Sequence, residues 1–271
     1  MLPSQVIGKG PIVDLGIKYR TALLTASSRG LGKACALALA AEGVNVFING
    51  LSTENLARAA EEIRGQTSVE VVTVVADINT EEGRRRLLAA CPDPDILVNN
   101  NWGPPPGQWE DFEYEDWLKA VESNMLAPLM MIRGVVGGMK ERRFGRIVNI
   151  TSQMVKSPFA VMGLSAGART GLTAAAKALS REVAEFNVTI NNLLPERIDT
   201  ERQVYMAKQR AESAGITYEE ARQEMVESIA AKRMGRPEEF GAACAFLCSA
   251  QAGYISGQNL QLDGGSYRGT F

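Results

Sequence analysis

The chain has 271 residues, a formal net charge of −2 and an apolar content of 45%. That balance suits a soluble globular protein with a large core, and it argues against nucleic acid or an anionic membrane surface as a partner. The sequence contains no histidine, which removes every histidine-dependent triad, dyad and metal site.

No apolar run reaches the ~18 residues of a membrane-spanning helix. The opening stretch MLPSQVIGKGPIVDLG has no basic segment followed by an apolar one, so no signal peptide is read there and a cytoplasmic location is expected. Residues 1–14 or so are expected to form an N-terminal extension ahead of the fold. Cys35, Cys91, Cys244 and Cys248 lack metal-ligand spacing and read as small buried hydrophobes in a reducing compartment.

From there the chain alternates short β-branched runs with longer helical patterns, the signature of a parallel sheet wrapped by helices. Strands are expected at 21–25, 45–49, 70–76, 96–99, 146–150, 189–194 and 259–262. Gly43 is placed to end the first helix and Thr80 to cap a later one, with Glu81 and Glu82 in its first turn. Long helices are expected over about 114–142 and 165–186. The Pro-rich 103–107 reads as a rigid loop, and the polar helical stretch at about 200–232 reads as a substrate lid or an ordinary solvated helical pair. With no linker or repeat, residues 1–271 are expected to form one dinucleotide-binding domain: α/β, a Rossmann-like doubly wound parallel sheet of about seven strands.

Between the first strand and first helix lies Thr25-Ala26-Ser27-Ser28-Arg29-Gly30-Leu31-Gly32. A glycine-bearing turn there lets backbone amides and the positive helix end approach a pyrophosphate. The second strand ends in Asn49-Gly50-Leu51-Ser52, without the acid that binds adenosine ribose hydroxyls. Its absence, with Arg29 in the turn, favours NADP(H) over NAD(H) and places Ser52 beside the cofactor.

Further motifs follow in order: Asp77-Ile78, Asn99-Asn100, Asn124 in WLKAVESNMLAPL, Ser152 in RIVNITS, the segment from Pro195 through Ile198 to Thr200, and GRPEEFGAACAFLCSAQAGYISGQNLQLDGG. With TASSRGLG they resemble the short-chain dehydrogenases/reductases, especially the 3-oxoacyl-(acyl-carrier-protein) reductase type, from about residue 15 to residue 267. The resemblance implies that Asp77 and Ile78 meet adenine, and that Asn100, Ile198 and Thr200 help to hold the cofactor. It also implies that Asn124 and Ser152 belong to the catalytic set, and that the protein is a homo-oligomer, a tetramer or dimer.

The same resemblance exposes departures. The family's YxxxK should begin thirteen residues after the serine, where this chain has Ser165-Ala166-Gly167-Ala168-Arg169. The family's NNAG reads Asn99-Asn100-Asn101-Trp102, its PG glycine is Glu196, and its first turn glycine is Ala26. In the family mechanism the tyrosine is the general acid or base and the lysine tunes it. Ser165 starts several units above a phenol and Arg169 stays protonated, so neither repeats that role. Arg169 suits a carboxylate, a phosphate or ribose hydroxyls. Ser165 and Arg169 lie one turn apart on one helix face, beside a stripe of Leu164, Ala168 and Leu172 expected to pack on the sheet. Glu196 reads as an exposed loop acid paired with Arg197 or Arg202, or else as a replacement base. Trp102 reads as a substrate wall or a plug over the nucleotide groove, and Tyr114 and Tyr205 as packing residues.

The leading expectation is an NADP(H)-dependent oxidoreductase of EC class 1.1.1, acting on a small carbonyl or hydroxy compound, with an anionic group on the substrate where Arg169 binds it. The alternatives are a non-redox enzyme on the same scaffold (lyase, isomerase or dehalogenase-like) and a cofactor-binding subunit without turnover.

Overall fold

A computed structural model describes residues 13–270. The expected N-terminal extension lies outside the described residues as far as residue 12. From Leu15 the chain joins the fold, where its carbonyl accepts from Ala250 N (2.9 Å).

Seven strands form one sheet: β1 (Thr21–Leu24), β2 (Asn45–Gly50), β3 (Val71–Val75), β4 (Ile96–Asn99), β5 (Gly145–Ile150), β6 (Val188–Pro195) and β7 (Asn259–Leu262). Their order is β3-β2-β1-β4-β5-β6-β7, and every neighbouring pair is parallel. The chain winds outward from β1 to β3, then returns to start β4 on the other side of β1. That reversal opens a crevice at the C-terminal ends of β1 and β4, where sheets of this kind bind ligands.

Both faces of the sheet are covered, which explains why its strands are continuously apolar rather than alternating. Alternate side chains still go to opposite layers. Ala22, Leu24, Ile96, Val98 and Val148 join the layer of α1 (Gly30–Ala41), α2 (Thr53–Gln66) and α9 (Pro237–Cys248). Leu23, Leu97 and Ile147 join the layer of α3 (Glu81–Ala90), α5 (Ala127–Glu141) and α6 (Gly163–Val183). All four cysteines are free and buried. Ser52 caps α2 by accepting from Asn55 N (3.2 Å), and Thr80 caps α3 by accepting from Gly83 N (3.0 Å).

The helix expected over 114–142 is present from Tyr114 to Glu141 but is not uniformly α-helical. It is α4 (Tyr114–Val121) and α5 joined by a π turn at Glu122–Leu126, a widened turn that carries Asn124. The stripe on α6 also packs differently from expectation. Leu164 and Ala168 bury themselves against Ala120, Trp117 and Phe112 on and before α4, rather than on the sheet. The polar stretch after β6 forms α7 (Glu201–Ala214) and α8 (Tyr218–Glu227), which share a small core of Ala207, Ala221, Met225, Ile229 and Met234.

One feature of the sheet had no signature in the motifs. Asn99, Asn149, Asn192 and Asn259 stand side by side in register on β4 to β7. Asn99 Nδ2 donates to Asn149 Oδ1 (2.9 Å), Asn149 Nδ2 to Asn192 Oδ1 (3.0 Å) and Asn192 Nδ2 to Asn259 Oδ1 (2.8 Å). The first three are buried, so each bond replaces one to water and losing it leaves a polar group unsatisfied. Asn149→Ala should therefore cost about 2–4 kcal/mol in denaturant unfolding, and Asn259→Ala, at the ladder's half-exposed end, clearly less. Equal effects would contradict a cooperative ladder.

Candidate functional site

At the sheet reversal lies a cavity of about 530 Å³, walled by the turn after β1, the loops after β4, β5 and β6, and the first residues of α6 and α7. Its far end is framed by Arg29, Ser52 and Asp77, and its near end by Ser152, Ser165 and Arg169.

The turn at 25–32 is locked from behind. Thr25 Oγ1 donates to Asn100 O (2.7 Å) and accepts from Asn100 N (2.8 Å), while Asn100 Nδ2 donates to Ala26 O (2.9 Å). Ser27 Oγ donates to Leu24 O (2.8 Å) and accepts from Asn49 N (2.9 Å). Gly32 has no room for a side chain, since a Cβ there would lie 2.5 Å from Ala26 O. Thr25, Ser27 and Gly32 thus shape the turn from outside the cavity, whereas Ser28, Arg29, Gly30 and Leu31 line it. Ala26 has φ 42°, a left-handed conformation that suits glycine better. Asn49 holds it there: Asn49 Oδ1 accepts from Ala26 N (3.1 Å), and its Nδ2 donates to Val74 O (3.1 Å) and Ala76 O (2.9 Å).

No acid of β2 enters the cavity beyond Gly50, where Leu51, Ser52 and Asn55 line it with Arg29 at the rim. Asp77 and Ile78 lie opposite, as do Ile198 and Thr200 on the loop before α7. The donor set and the closely approached backbone fit a dinucleotide phosphate.

At the near end, Ser165 and Arg169 both face the cavity from α6. Ser165 is 3% exposed, and its hydroxyl has no hydrogen bond to a described residue. Ser152 lines the same end and accepts from Met154 N (3.2 Å). Arg169 is 7% exposed and donates Nη1 to Ile150 O (2.9 Å) and Thr151 O (2.7 Å). Burial, and then the positive charge of Arg202, push its pKa down to about 10, so it remains a cation at neutral pH. Asn124 stands behind the wall, its Nδ2 donating to Ser123 Oγ (2.7 Å) and weakly to Trp102 O (3.5 Å).

Two sequence expectations change here, those for Glu196 and Tyr114. Glu196 is half-buried rather than exposed, has no ion pair among the described residues, and leaves Oε2 without a partner. Tyr114 is 70% exposed and packs on nothing large, whereas Tyr205 meets Trp102 edge-on at 6.4 Å. Trp102 lines the cavity, with Arg202 over its ring at 5.0 Å, and stays half-exposed. Sequence reasoning also missed the bracing role of Asn49. Its one signal is a polar residue at the end of an otherwise apolar strand.

A family model described as enoyl-(acyl carrier protein) reductase matches residues 25–267. The NADPH-dependent reductase BacG of Bacillus subtilis is 31% identical over 254 residues, covering 92% of this chain and 98% of that protein. Human dehydrogenase/reductase SDR family member 4 is 33% identical over 276 residues, covering 98% of this chain and 92% of that protein. The structure of L-sorbose reductase from Gluconobacter frateurii, complexed with NADPH and L-sorbose, superimposes with a TM-score of 0.89 at 28% identity, over 95% of this chain and 100% of that one. The chain belongs to the short-chain dehydrogenase/reductase (SDR) family.

Burial raises the pKa of Glu196, with the nearby Arg197 opposing it. An acid with a raised folded-state pKa favours folding below its unfolded value, and that contribution is lost as pH rises through the folded value. Glu196→Gln should therefore raise the melting temperature at pH 7, and the gain should vanish towards pH ~4. A gain independent of pH would show that the carboxyl stays solvated.

Proposed function

We propose that this chain is an NADP(H)-dependent oxidoreductase acting on a small carbonyl or hydroxy compound through an Asn124-Ser152-Ser165-Arg169 site. The observation that carries this reading is one continuous cavity, running from the glycine turn to the wall of Ser165 and Arg169. BacG is named as NADPH-dependent, and the sorbose reductase was solved with NADPH, which supports the choice of cofactor. Exposed Arg29, with no acid at the end of β2, supports it from this chain's own residues. Bound NADP(H) supplies or accepts the hydride at the substrate carbon.

The chain's residues do the rest. The hydroxyls of Ser152 and Ser165 donate hydrogen bonds to the carbonyl oxygen. As that oxygen gains charge, it takes a proton from water admitted beside them, because neither hydroxyl has a base next to it. Arg169 fixes the near end of the cavity and offers its free edge to ribose hydroxyls or to an anionic group on the substrate. Asn124 positions this wall through the loop at Trp102. Helix α7, whose first turns line the cavity, acts with α8 as the cover formed by residues 200–232. The chain works as one dinucleotide-binding domain.

A second reading has one observation in its favour: a Ser and an Arg stand where the resemblance implies a tuned phenol and its lysine. A non-redox enzyme on the same scaffold would use the site without hydride transfer.

Titration separates the cofactor claims. NADPH should bind more tightly than NADH, and Arg29→Ala should weaken NADPH far more than NADH. Equal losses would remove the phosphate-binding role. A second test is turnover of neutral ketones with NADPH. Wild type should be slow, by about the 10²–10⁴ that a general acid typically contributes. Ser165→Tyr with Arg169→Lys should raise the rate. Fast wild-type turnover that the double variant loses would reveal a complete proton path in the present residues. Binding of NADPH with no turnover of any carbonyl or hydroxy compound would favour the second reading.

A further inference from the structure

The near end of the cavity holds two arginines that form no ion pair among the described residues. Arg169 spends Nη1 on two carbonyls, but Nε is buried without a partner. Its Nη2 passes Gly103, where even a Cβ would lie only 3.1 Å away. Nε and Nη2 form one edge of the guanidinium, a pair of parallel donors matched to two oxygens of a planar anion.

Arg202 enters from the first turn of α7. Its Nη2 donates to Pro104 O (2.9 Å), its Nη1 is buried without a partner, and its guanidinium lies 5.0 Å from the Trp102 ring centre and 5.3 Å from that of Tyr205. The two aromatic rings and one carbonyl fix its orientation and leave one nitrogen to spare. Arg202 lies near enough to Arg169 to help depress its pKa, after burial.

The carboxylates on the cavity wall do not answer these cations. Asp77 sits at the far end, where Oδ1 accepts from Asn79 N (2.9 Å). Glu196 lies beside Arg197, and Glu201 turns toward Gly30. None of them forms an ion pair with Arg169 or Arg202 among the described residues. Arg146, buried more deeply still, shows how this fold satisfies an arginine it uses only for structure. Its nitrogens reach Ser249 O (3.0 Å), Gly145 O (2.9 Å), Asn187 O (2.9 Å) and Asn187 Oδ1 (3.3 Å), so each has an acceptor. One buried and one half-buried cation, each only partly satisfied and facing one cavity, are costly unless a ligand completes them.

We propose that Arg202, oriented by Trp102 and Tyr205, binds the carboxylate of the substrate together with the free edge of Arg169, so that the substrate class is a small oxo or hydroxy acid rather than a neutral ketone or sugar. This deepens the function proposed above and rests on the same cavity being the substrate site. Arg202 is a specificity-determining residue: it chooses the substrate by charge, while Ser152 and Ser165 face the reacting oxygen.

The test is calorimetry on the full chain without cofactor, using 2-oxobutanoate, 3-oxobutanoate and 4-oxopentanoate, the methyl ester of each, and inorganic phosphate. At least one acid should bind wild type more tightly than its ester. Arg202→Met should weaken that acid by roughly 10- to 100-fold and leave the ester unchanged. Arg202→Lys, which keeps the charge but loses the planar face, should fall between. Lys208→Met, which removes an exposed charge from the same helix, should leave acid binding unaltered. The inference is overturned if acid and ester bind wild type alike, if no acid binds, if Lys208→Met costs as much as Arg202→Met, or if phosphate competes as well as the acid. A parallel NADPH titration of the same variants keeps the two readings apart. NADPH binding without acid discrimination rejects only the carboxylate site, and acid discrimination without NADPH binding rejects only the redox reading.

Discussion

All seven strands run the same way, so every strand ends at one edge of the sheet, and that edge is the floor of the cavity. In a purely parallel sheet such an edge is a row of chain exits, each turning into a loop with its own freedom. Here asparagines tie neighbouring strands together at and below that edge, from Asn99, the last residue of β4, to Asn259, the first of β7. Asn99, Asn149, Asn192 and Asn259 couple β4 to β7 side chain to side chain, while Asn49 joins β2 to β3 and to the turn after β1. The amide suits this work because it donates and accepts at once, so each residue can pass a bond along without a net charge in the core. The loops that carry Ser28, Asn100, Ser152 and Glu196 therefore leave from a floor whose strands cannot slide independently.

That rigidity explains how a strained turn survives. Ala26 holds a left-handed backbone that would cost a free chain about 1 kcal/mol, yet both its N–H and its carbonyl are engaged, by Asn49 and Asn100. The turn needs its backbone approach more than it needs glycine at that position, and neighbouring strands supply the difference. Gly32 is another matter. The space there is closed by backbone, and no neighbour can move to make room.

The sheet was legible because buried parallel strands are written as short apolar runs between helical periods, and all seven expected strands fall within a residue of their observed ends. The cap at Thr80 is equally local. Those features need only a residue and its near neighbours. What stayed hidden depends on partners far apart in the chain. Asn149 meets Asn99 and Asn192, separated from it by 50 and 43 residues. The π turn at Asn124 left a single trace, Pro128 four residues on, which has no N–H to bond to Asn124 O, and a proline there does not by itself say that the turn widens. Leu164 and Ala168 have helical spacing that is right for burial but silent about which surface buries them. The cavity was legible in outline, from the glycine turn to Ser165 and Arg169. The unpaired state of Glu196 and the stacking of Arg202 on Trp102 depend on which way loops fold over one another, and no spacing encodes that.

Arg169 draws these threads together. Its Nη1 bonds to Ile150 O and Thr151 O fasten the chain as it leaves β5, immediately before Ser152. The guanidinium is therefore a strut for one serine while it stands one helical turn from the other. A lysine at this place has three donors on a single atom and cannot hold two carbonyls while presenting a separate planar edge to the cavity. On the reading proposed here, the exchange of phenol and ammonium for hydroxyl and guanidinium gives up a tunable proton donor. In return it gains a fixed cation with one edge anchored in the fold and one edge free. Such a site does less to move a proton and more to choose what enters, and Arg202 extends the same choice from the opposite wall. The positions that the resemblance implies to be departures, Ala26, Trp102, Ser165, Arg169 and Glu196, all line this one cavity, while the strands and the helices beneath it keep the family architecture.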